Sequence, residues 1–179
     1  MPNNFLITGS PGSGKTTVIE TVIDNLKSEG LETGGIYCPE IRNGRVRKGF
    51  KIIDIMTDES KILAHTELDE GPQVSKYRVN VPNIDELSET AISRALEEAD
   101  LLVIDEIAPM EIHSGEFKKQ VQRTLDSDKP LLAVVHKRSK SGFIGKVKQR
   151  EDSRLFEVDE KTRDYLPEKL TNLVMKSLS

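Results

Sequence analysis

Gly9-Ser10-Pro11-Gly12-Ser13-Gly14-Lys15-Thr16 stands one residue beyond an apolar run, Phe5-Leu6-Ile7, and just ahead of a helical pattern that begins around Thr17. The octet fits G-x-x-x-x-G-K-[ST], the Walker A phosphate-binding loop, and its strand–loop–helix context is the one that gives the pattern a physical basis. Glycines let the backbone curl, so that successive N–H groups from about Gly12 to Thr17 point inward at phosphate oxygens. The helix opening near Lys15 adds the positive end of its dipole at the same place. Lys15 would neutralise β- and γ-phosphate charge, and the Thr16 hydroxyl would ligate Mg²⁺. A chance glycine turn needs neither the strand before it nor the helix after it. The stretch implies a nucleotide site.

Working outward, Val18, Ile19, Val22, Ile23 and Leu26 recur at helical spacing, and Gly30 ends that helix. Over 34–81 the pattern turns to short strands. Ile36, Tyr37 and Ile41 precede Asn43-Gly44, a hairpin-turn dipeptide, and Val46, Phe50, Ile52 and Ile53 follow. This segment reads as a β-rich hairpin excursion on one edge of the main sheet. Strand–helix alternation then resumes. Asn83-x-x-Glu86 resembles a capping box ahead of a stripe formed by Leu87, Ala91, Ile92, Ala95 and Ala99. Apolar strands at 101–104 and 131–135 flank a helix carrying Phe117, Val121 and Leu125, and Pro167 opens a last helix after a short strand at 155–158. The alternation predicts an α/β, three-layer P-loop NTPase sandwich with a mostly parallel sheet and the nucleotide at the strands' carboxyl ends. A length of 179 residues suits one domain, 1–179.

Leu101-Leu102-Val103-Ile104-Asp105-Glu106-Ile107-Ala108 reads as a Walker B strand with a second acid directly behind the first. The four apolar residues bury the strand, and Asp105 emerges at its carboxyl end, where it would hold Mg²⁺ together with Thr16. Glu106 is placed to accept a proton from an attacking water, a role worth ~10²–10⁴ in rate. The alternative is an acid that merely solvates the strand end. An N-K-x-D signature for guanine is missing after the later strand, where the chain reads His136-Lys137-Arg138-Ser139. No motif commits the pocket to adenine either, so broad base tolerance is expected.

Bulk composition narrows the classes. Lys+Arg total 26 against 30 Asp+Glu, a net charge of −4. Near-balance argues against general affinity for DNA or RNA, despite the basic stretch at 137–150. Cys38 is the only cysteine, which suits a reducing cytoplasm, and the apolar runs are too short to span a bilayer. Strand 1 begins within a few residues of Met1, leaving no room for a signal peptide. The expectation is a cytoplasmic protein whose partners are nucleoside triphosphates. No motif identifies a protein partner.

With both Walker elements in place, the connecting segments resemble the small nucleoside-triphosphatase family first described from thermophiles, which includes a human cancer-related member. The matching residues are 8–17, Gly35-Ile36-Tyr37, Glu40-Ile41-Arg42, Gly49-Phe50, Lys76-Tyr77, Ile104-Asp105-Glu106-Ile107, Met110-Glu111, and Phe156-x-Val158 followed by Arg163. The resemblance implies Mg²⁺-dependent hydrolysis of several NTPs to NDP and phosphate, on a RecA-like core. Departures are Cys38 for the family's usual Thr, Pro39 for an acid, Ala108-Pro109 for Gly-Lys, and Thr162 for Asn. Pro109 restricts the residue before it, close behind Glu106.

Accessory candidates each have a plain alternative. His136 is placed to sense a γ-phosphate or to serve as an ordinary strand-end histidine. Lys137, Arg138 and Lys140 form either a cationic finger or a solvated basic loop. Arg163 approaches the base or ribose, or else pairs with Asp159 or Glu160. Glu40 and Arg42 form part of a lid or a structural ion pair. Two other classes share the phosphate loop: a nucleotide or small-molecule kinase with 137–150 as its lid, and a nucleotide-binding switch regulated by a partner. Asp105-Glu106 argues against the kinase, which must exclude water rather than activate it.

Overall fold

The computed structural model describes residues 3–179. In chain order its elements are β1 (Asn4–Thr8), α1 (Lys15–Ser28), β2 (Thr33–Tyr37), β3 (Glu40–Asn43), β4 (Val46–Asp54), β5 (Ser60–His65), β6 (Gln73–Val74) and β7 (Tyr77–Val79). There follow α2 (Val81–Glu98), β8 (Leu101–Ile107), a 3₁₀ turn (Glu111–His113), α3 (Gly115–Leu125), β9 (Leu131–Val135), α4 (Gly142–Lys148), β10 (Ser153–Glu157) and α5 (Leu166–Ser177). All ten strands join one sheet, in the order β10-β1-β9-β8-β2-β4-β5-β7-β6, with β3 attached to β4.

The strands from β10 to β2 are parallel. Helices cover both of their faces, which is why the strands read as continuous apolar runs rather than alternating ones. One face packs Leu6, Ile36, Leu102, Ile104 and Ala133 against α2, α3 and α4 through Ile84, Phe117 and Ile144. The other packs Phe5, Ile7, Val103 and Val134 against α1 and α5 through Val18, Val22, Leu170 and Val174. The result is the expected three-layer α/β architecture. β9 separates β1 from β8, so the glycine-loop strand and the acidic strand are not neighbours.

The segment 34–81 divides in two. β2 belongs to the parallel sheet itself, and the excursion proper starts at β3 and continues the sheet in antiparallel fashion through β4, β5, β7 and β6. Its first turn is Gly44-Arg45, with Asn43 paired to Val46, one residue later than Asn43-Gly44. Gly44 has φ +63 at the first central position, where a II′ turn places glycine. The cap of α2 lies one turn earlier than Asn83. Asn80 accepts from the Asn83 N–H at 3.0 Å, while the Asn83 amide donates to Ile62 O across to β5 at 2.9 Å. Among the described residues no helix is long and apolar enough to cross a membrane.

Register fixes what the fold offers to chemistry. Thr8 lies opposite Glu157, Ile7 opposite Val134, Val134 opposite Asp105, and Asp105 opposite Tyr37. The carboxyl ends of five parallel strands therefore form one row. Gly35 sustains the β2 end of it, because a Cβ there would stand 2.0 Å from Val103 O on β8, at a backbone φ of +124. Gly35→Ala is expected to cost ~3 kcal/mol or more, through the clash and the strained backbone together. Gly44→Ala meets open space and should cost about 1 kcal/mol, from the left-handed backbone alone. Denaturant midpoints of the two variants check this, and equal losses would contradict it.

Candidate active site

The chain leaves β1 at Thr8 and wraps through Gly9, Ser10, Pro11, Gly12, Ser13 and Gly14 into α1. Gly12 and Gly14 adopt φ +76 and +103, conformations that side-chain-bearing residues rarely take. Gly9 is required for a different reason. A Cβ there would lie 2.6 Å from Ser13 Oγ and 2.7 Å from Val158 O. The Ser13 N–H donates to Ser10 O at 3.1 Å, closing the loop, whereas the buried Ser13 hydroxyl has no partner. No side chain caps α1, and no acid occupies its first turn, so the amides beside Lys15, Thr16 and Thr17 lack a side-chain acceptor. In α2 and α3, by contrast, Asn80 and Ser114 fill that role. Lys15 Nζ bends back onto Gly9 O at 2.8 Å. The loop is a cradle of donors with an ammonium at its mouth, a shape that accepts an anion.

Opposite the cradle, β8 delivers Asp105 and Glu106. Asp105 pairs with Val134 and Ile107 with Val135, so Glu106 is an extra residue in the strand. Such a bulge re-aims side chains at a strand end. Burial is the main reason the Asp105 carboxyl is raised from 3.8 to about 7; the neighbouring Glu106 adds to the rise, Lys15 opposes it, and Glu20 adds a little. Glu106 is raised as well, by burial, again against the pull of Lys15. Lys15 also acts on His136, whose titration is lowered by burial and by the cations Lys148, Lys15 and Arg138. The fold thus gathers Lys15 of α1, Asp105 and Glu106 of β8, and His136 beyond β9 into one field. Ile107 closes β8, and Ala108 lies just past it.

Two further groups join this cluster. Glu111 is only 4% exposed, and its Oε2 has no partner. Burial pushes its carboxyl well above the usual range, and Glu106 pushes it further. Burial, then Glu111 and Asp105, likewise raise the Cys38 thiol just past β2. Against this group of acids, Lys15 is the only opposing cation among the causes of the Asp105 and Glu106 shifts. Among the described residues no set of three or more His, Cys, Asp or Glu could hold a metal unaided. Asp105 with the Thr16 hydroxyl would supply an all-oxygen pair, the donor type that a hard divalent cation takes when substrate oxygens and water complete its shell.

The accessory residues sort differently from one another. Lys137, not Arg138, meets the loop: its Nζ lies 3.2 Å from Ser10 Oγ and 3.0 Å from Glu157 Oε1. Arg138 is exposed. His136 Nδ1 is 2.8 Å from Ser139 Oγ, across the turn that follows β9. Arg163 does not take the Asp159 carboxylate, which instead accepts from the backbone amides of Lys161 at 2.8 Å and Thr162 at 3.0 Å. Its Cδ lies 3.7 Å from where a Cβ on Gly14 would stand, so Arg163 borders the loop. Thr162 is occupied locally, donating to Glu157 O at 2.8 Å and accepting from Asp159 N at 3.0 Å. Glu40 binds Arg42 at 2.6 Å and Arg47 at 2.9 Å, an exposed structural trio on the β3–β4 hairpin. Sequence reasoning overlooked the burial of Glu111 and the contact of Lys137 with Ser10, since neither has a local signature.

A family model described as NTPase matches residues 4–171. The chain belongs to this NTPase family. Over 168 residues it is 44% identical to nucleoside-triphosphatase THEP1 of Thermofilum pendens, covering 93% of this chain and 92% of the relative. The protein of the same name from Methanothermobacter thermautotrophicus is 43% identical over 170 residues, 95% of each chain. Among solved structures, THEP1 from Aquifex aeolicus superposes with a TM-score of 0.84 at 28% identity, covering 96% of this chain and 98% of that one. A human cancer-related nucleoside triphosphatase gives 0.81 at 28% identity, covering 99% of both. The fold described above is therefore shared with these two solved structures.

The raised Asp105 carboxyl makes stability pH-dependent. Held at about 7 in the fold against an ordinary 3.8, it favours the folded state while protonated. That contribution is complete below the ordinary value and is lost as pH rises through about 7. Asp105→Asn removes the loss. Between pH 5.5 and pH 8 the melting temperature of nucleotide-free, metal-free wild type should fall relative to the variant by ~5 °C, at ~2–4 °C per kcal/mol for a chain of this size. Parallel melting curves across that range would contradict the assignment.

Proposed function

We propose that this chain is a Mg²⁺-dependent nucleoside-triphosphatase that hydrolyses ATP, GTP and other NTPs to NDP and phosphate with broad base tolerance. Membership of the family makes it a hydrolase of nucleoside triphosphates. The observation that carries the mechanism is the meeting of an anion cradle, 9–17, with two half-buried carboxylates in the field of Lys15. The amides of the loop and the Lys15 ammonium take the β- and γ-phosphates. Thr16 and Asp105 would hold Mg²⁺, which when bound offsets phosphate charge. Glu106 accepts the proton of the attacking water, and its raised titration brings it closer to neutrality, where a general base works best. Lys15 leaves Gly9 O for the phosphates as the triphosphate enters.

Base tolerance rests on what the rim offers. The turn after β9 carries His136-Lys137-Arg138-Ser139, with no carboxylate to read guanine. Arg163, alongside Gly14, supplies a planar cation that can stack on any base, and stacking is tolerant because every base has a π-face. The lone thiol Cys38 supports a cytoplasmic setting.

Steady-state phosphate release from ATP, GTP, CTP and UTP with Mg²⁺ tests this reading. Wild type should turn over all four, and Glu106→Gln should bind nucleotide yet hydrolyse it ~10²–10⁴ more slowly. An inert wild type, or a variant as fast as wild type, would overturn the proposal. Diversion of the phosphoryl group onto an added nucleoside or NMP would favour a kinase instead.

A further inference from the structure

Lys148, at the end of α4, has a position that hydrolysis as described leaves unexplained. Its Nζ donates to three backbone carbonyls of one turn: His136 O at 2.5 Å, Lys137 O at 3.1 Å and Ser139 O at 2.7 Å. An ammonium has three N–H groups and no acceptor, so this side chain is fully committed. A surface lysine ordinarily extends its head into water. Here burial and the neighbouring Lys140 lower its titration. A cation is tolerated in such a place only when acceptors converge on it. The chain is also close-packed where it runs from this turn into α4. Gly145 of α4 is buried, and a Cβ there would stand 2.6 Å from the carbonyl carbon and oxygen of Lys140. Helix and turn are packed backbone to backbone.

What this fixed turn carries is Lys137. The turn leaves β9, the strand between the glycine-loop strand β1 and the acidic strand β8, so it overhangs the space between cradle and carboxylates. Lys137 Nζ touches Ser10 Oγ of the cradle and pairs with Glu157 at the end of β10. Side-chain exposures of 45% and 55% make that pair a weak one. The backbone of the turn is thus locked, while the tip of Lys137 rests on a partner that it can exchange.

We propose that Lys137 is a catalytic residue, moving from Glu157 to the γ-phosphoryl oxygens of bound nucleotide, and that Lys148 is the positioning residue which sets it there. This rests on the hydrolase reading above. The arrangement separates two requirements. A donor helps the transition state most when little has to move to aim it, and the three carbonyl bonds of Lys148 fix the backbone from which Lys137 swings. It must also be free of its resting partner when the triphosphate arrives, which the exposed Glu157 permits. Contact with Ser10 is what singles out Lys137 from Arg138, its neighbour of like charge.

A double-mutant cycle tests the proposal, with kcat, KM and melting temperature measured for wild type, Lys137→Met, Lys148→Met and the double variant. Removing one preorganised donor typically costs ~10²-fold in kcat, and Lys137→Met should lose about that much, with KM changed far less. Lys148→Met should lose at least ~10-fold in kcat, and the double variant should be no slower than Lys137→Met, because Lys148 acts through Lys137. Losses that multiply in the double variant would overturn the inference, as would Lys148→Met with wild-type kcat. If Lys148→Met does not fold, Gly145→Ala displaces the same turn without touching a charge. It should lower kcat alone and add nothing in the Lys137→Met background, and a multiplying loss would again be fatal. An inert wild type would sink the hydrolase reading itself, whereas an active wild type with an unaffected Lys148→Met sinks only this inference.

Discussion

Helices cover both faces of the parallel sheet, and this single constraint decides where chemistry can occur. Strands buried on both sides must be apolar along their length, as Leu131–Val135 is throughout. Polar groups are admitted where a strand ends, and in a parallel sheet all ends of one kind fall on one edge. Thr8, Val135, Asp105, Tyr37 and Glu157 stand along that edge because the register of five strands aligns them. The glycine loop, the turn after β9 and the turn before α5 spring from the same row. The residues proposed to meet the nucleotide are reached from there.

Charge at this edge is deliberately unbalanced. Asp105, Glu106 and Glu111 share one partly desolvated region, where Glu106 raises Asp105 and both of them raise Glu111. Such carboxylates are costly until a cation arrives. The loop has the opposite deficit, with uncapped amides, an unpartnered Ser13 hydroxyl and a lysine folded onto a carbonyl. On the proposed reading, a metal–triphosphate complex would answer both at once, since its cation would suit the acids and its oxygens the loop. Around the loop stand two cations from other turns, Lys137 against Ser10 and Arg163 beside Gly14.

Much of this was legible in the sequence. The loop 9–16 and the strand ending in Asp105-Glu106 are local patterns whose side-chain chemistry and spacing carry their own explanation. The features that were not legible depend on distant partners. Asn80 caps α2 because the Asn83 side chain is drawn to Ile62 O on β5, and nothing near Asn83 reveals that bond. Asn43 stays in its strand because it pairs with Val46, which moves the turn to Gly44-Arg45. Lys137 and Arg138 are indistinguishable by charge, and it is Lys137 that reaches Ser10, from a turn bound by Lys148, eleven residues on. β2 reads like the short strands after it, and its place inside the parallel sheet is set by its fit against β8 at Gly35.

The most direct test of the central claim is to count the protons released when a non-hydrolysable nucleoside triphosphate binds with Mg²⁺. Calorimetric titration at pH 7, in buffers of different ionisation enthalpy, gives that number. If Asp105 holds the cation as proposed, its carboxyl, raised to about 7, ionises on binding, so wild type should release ~0.5 proton and Asp105→Asn none from this group. Equal proton counts in the two proteins would contradict the account.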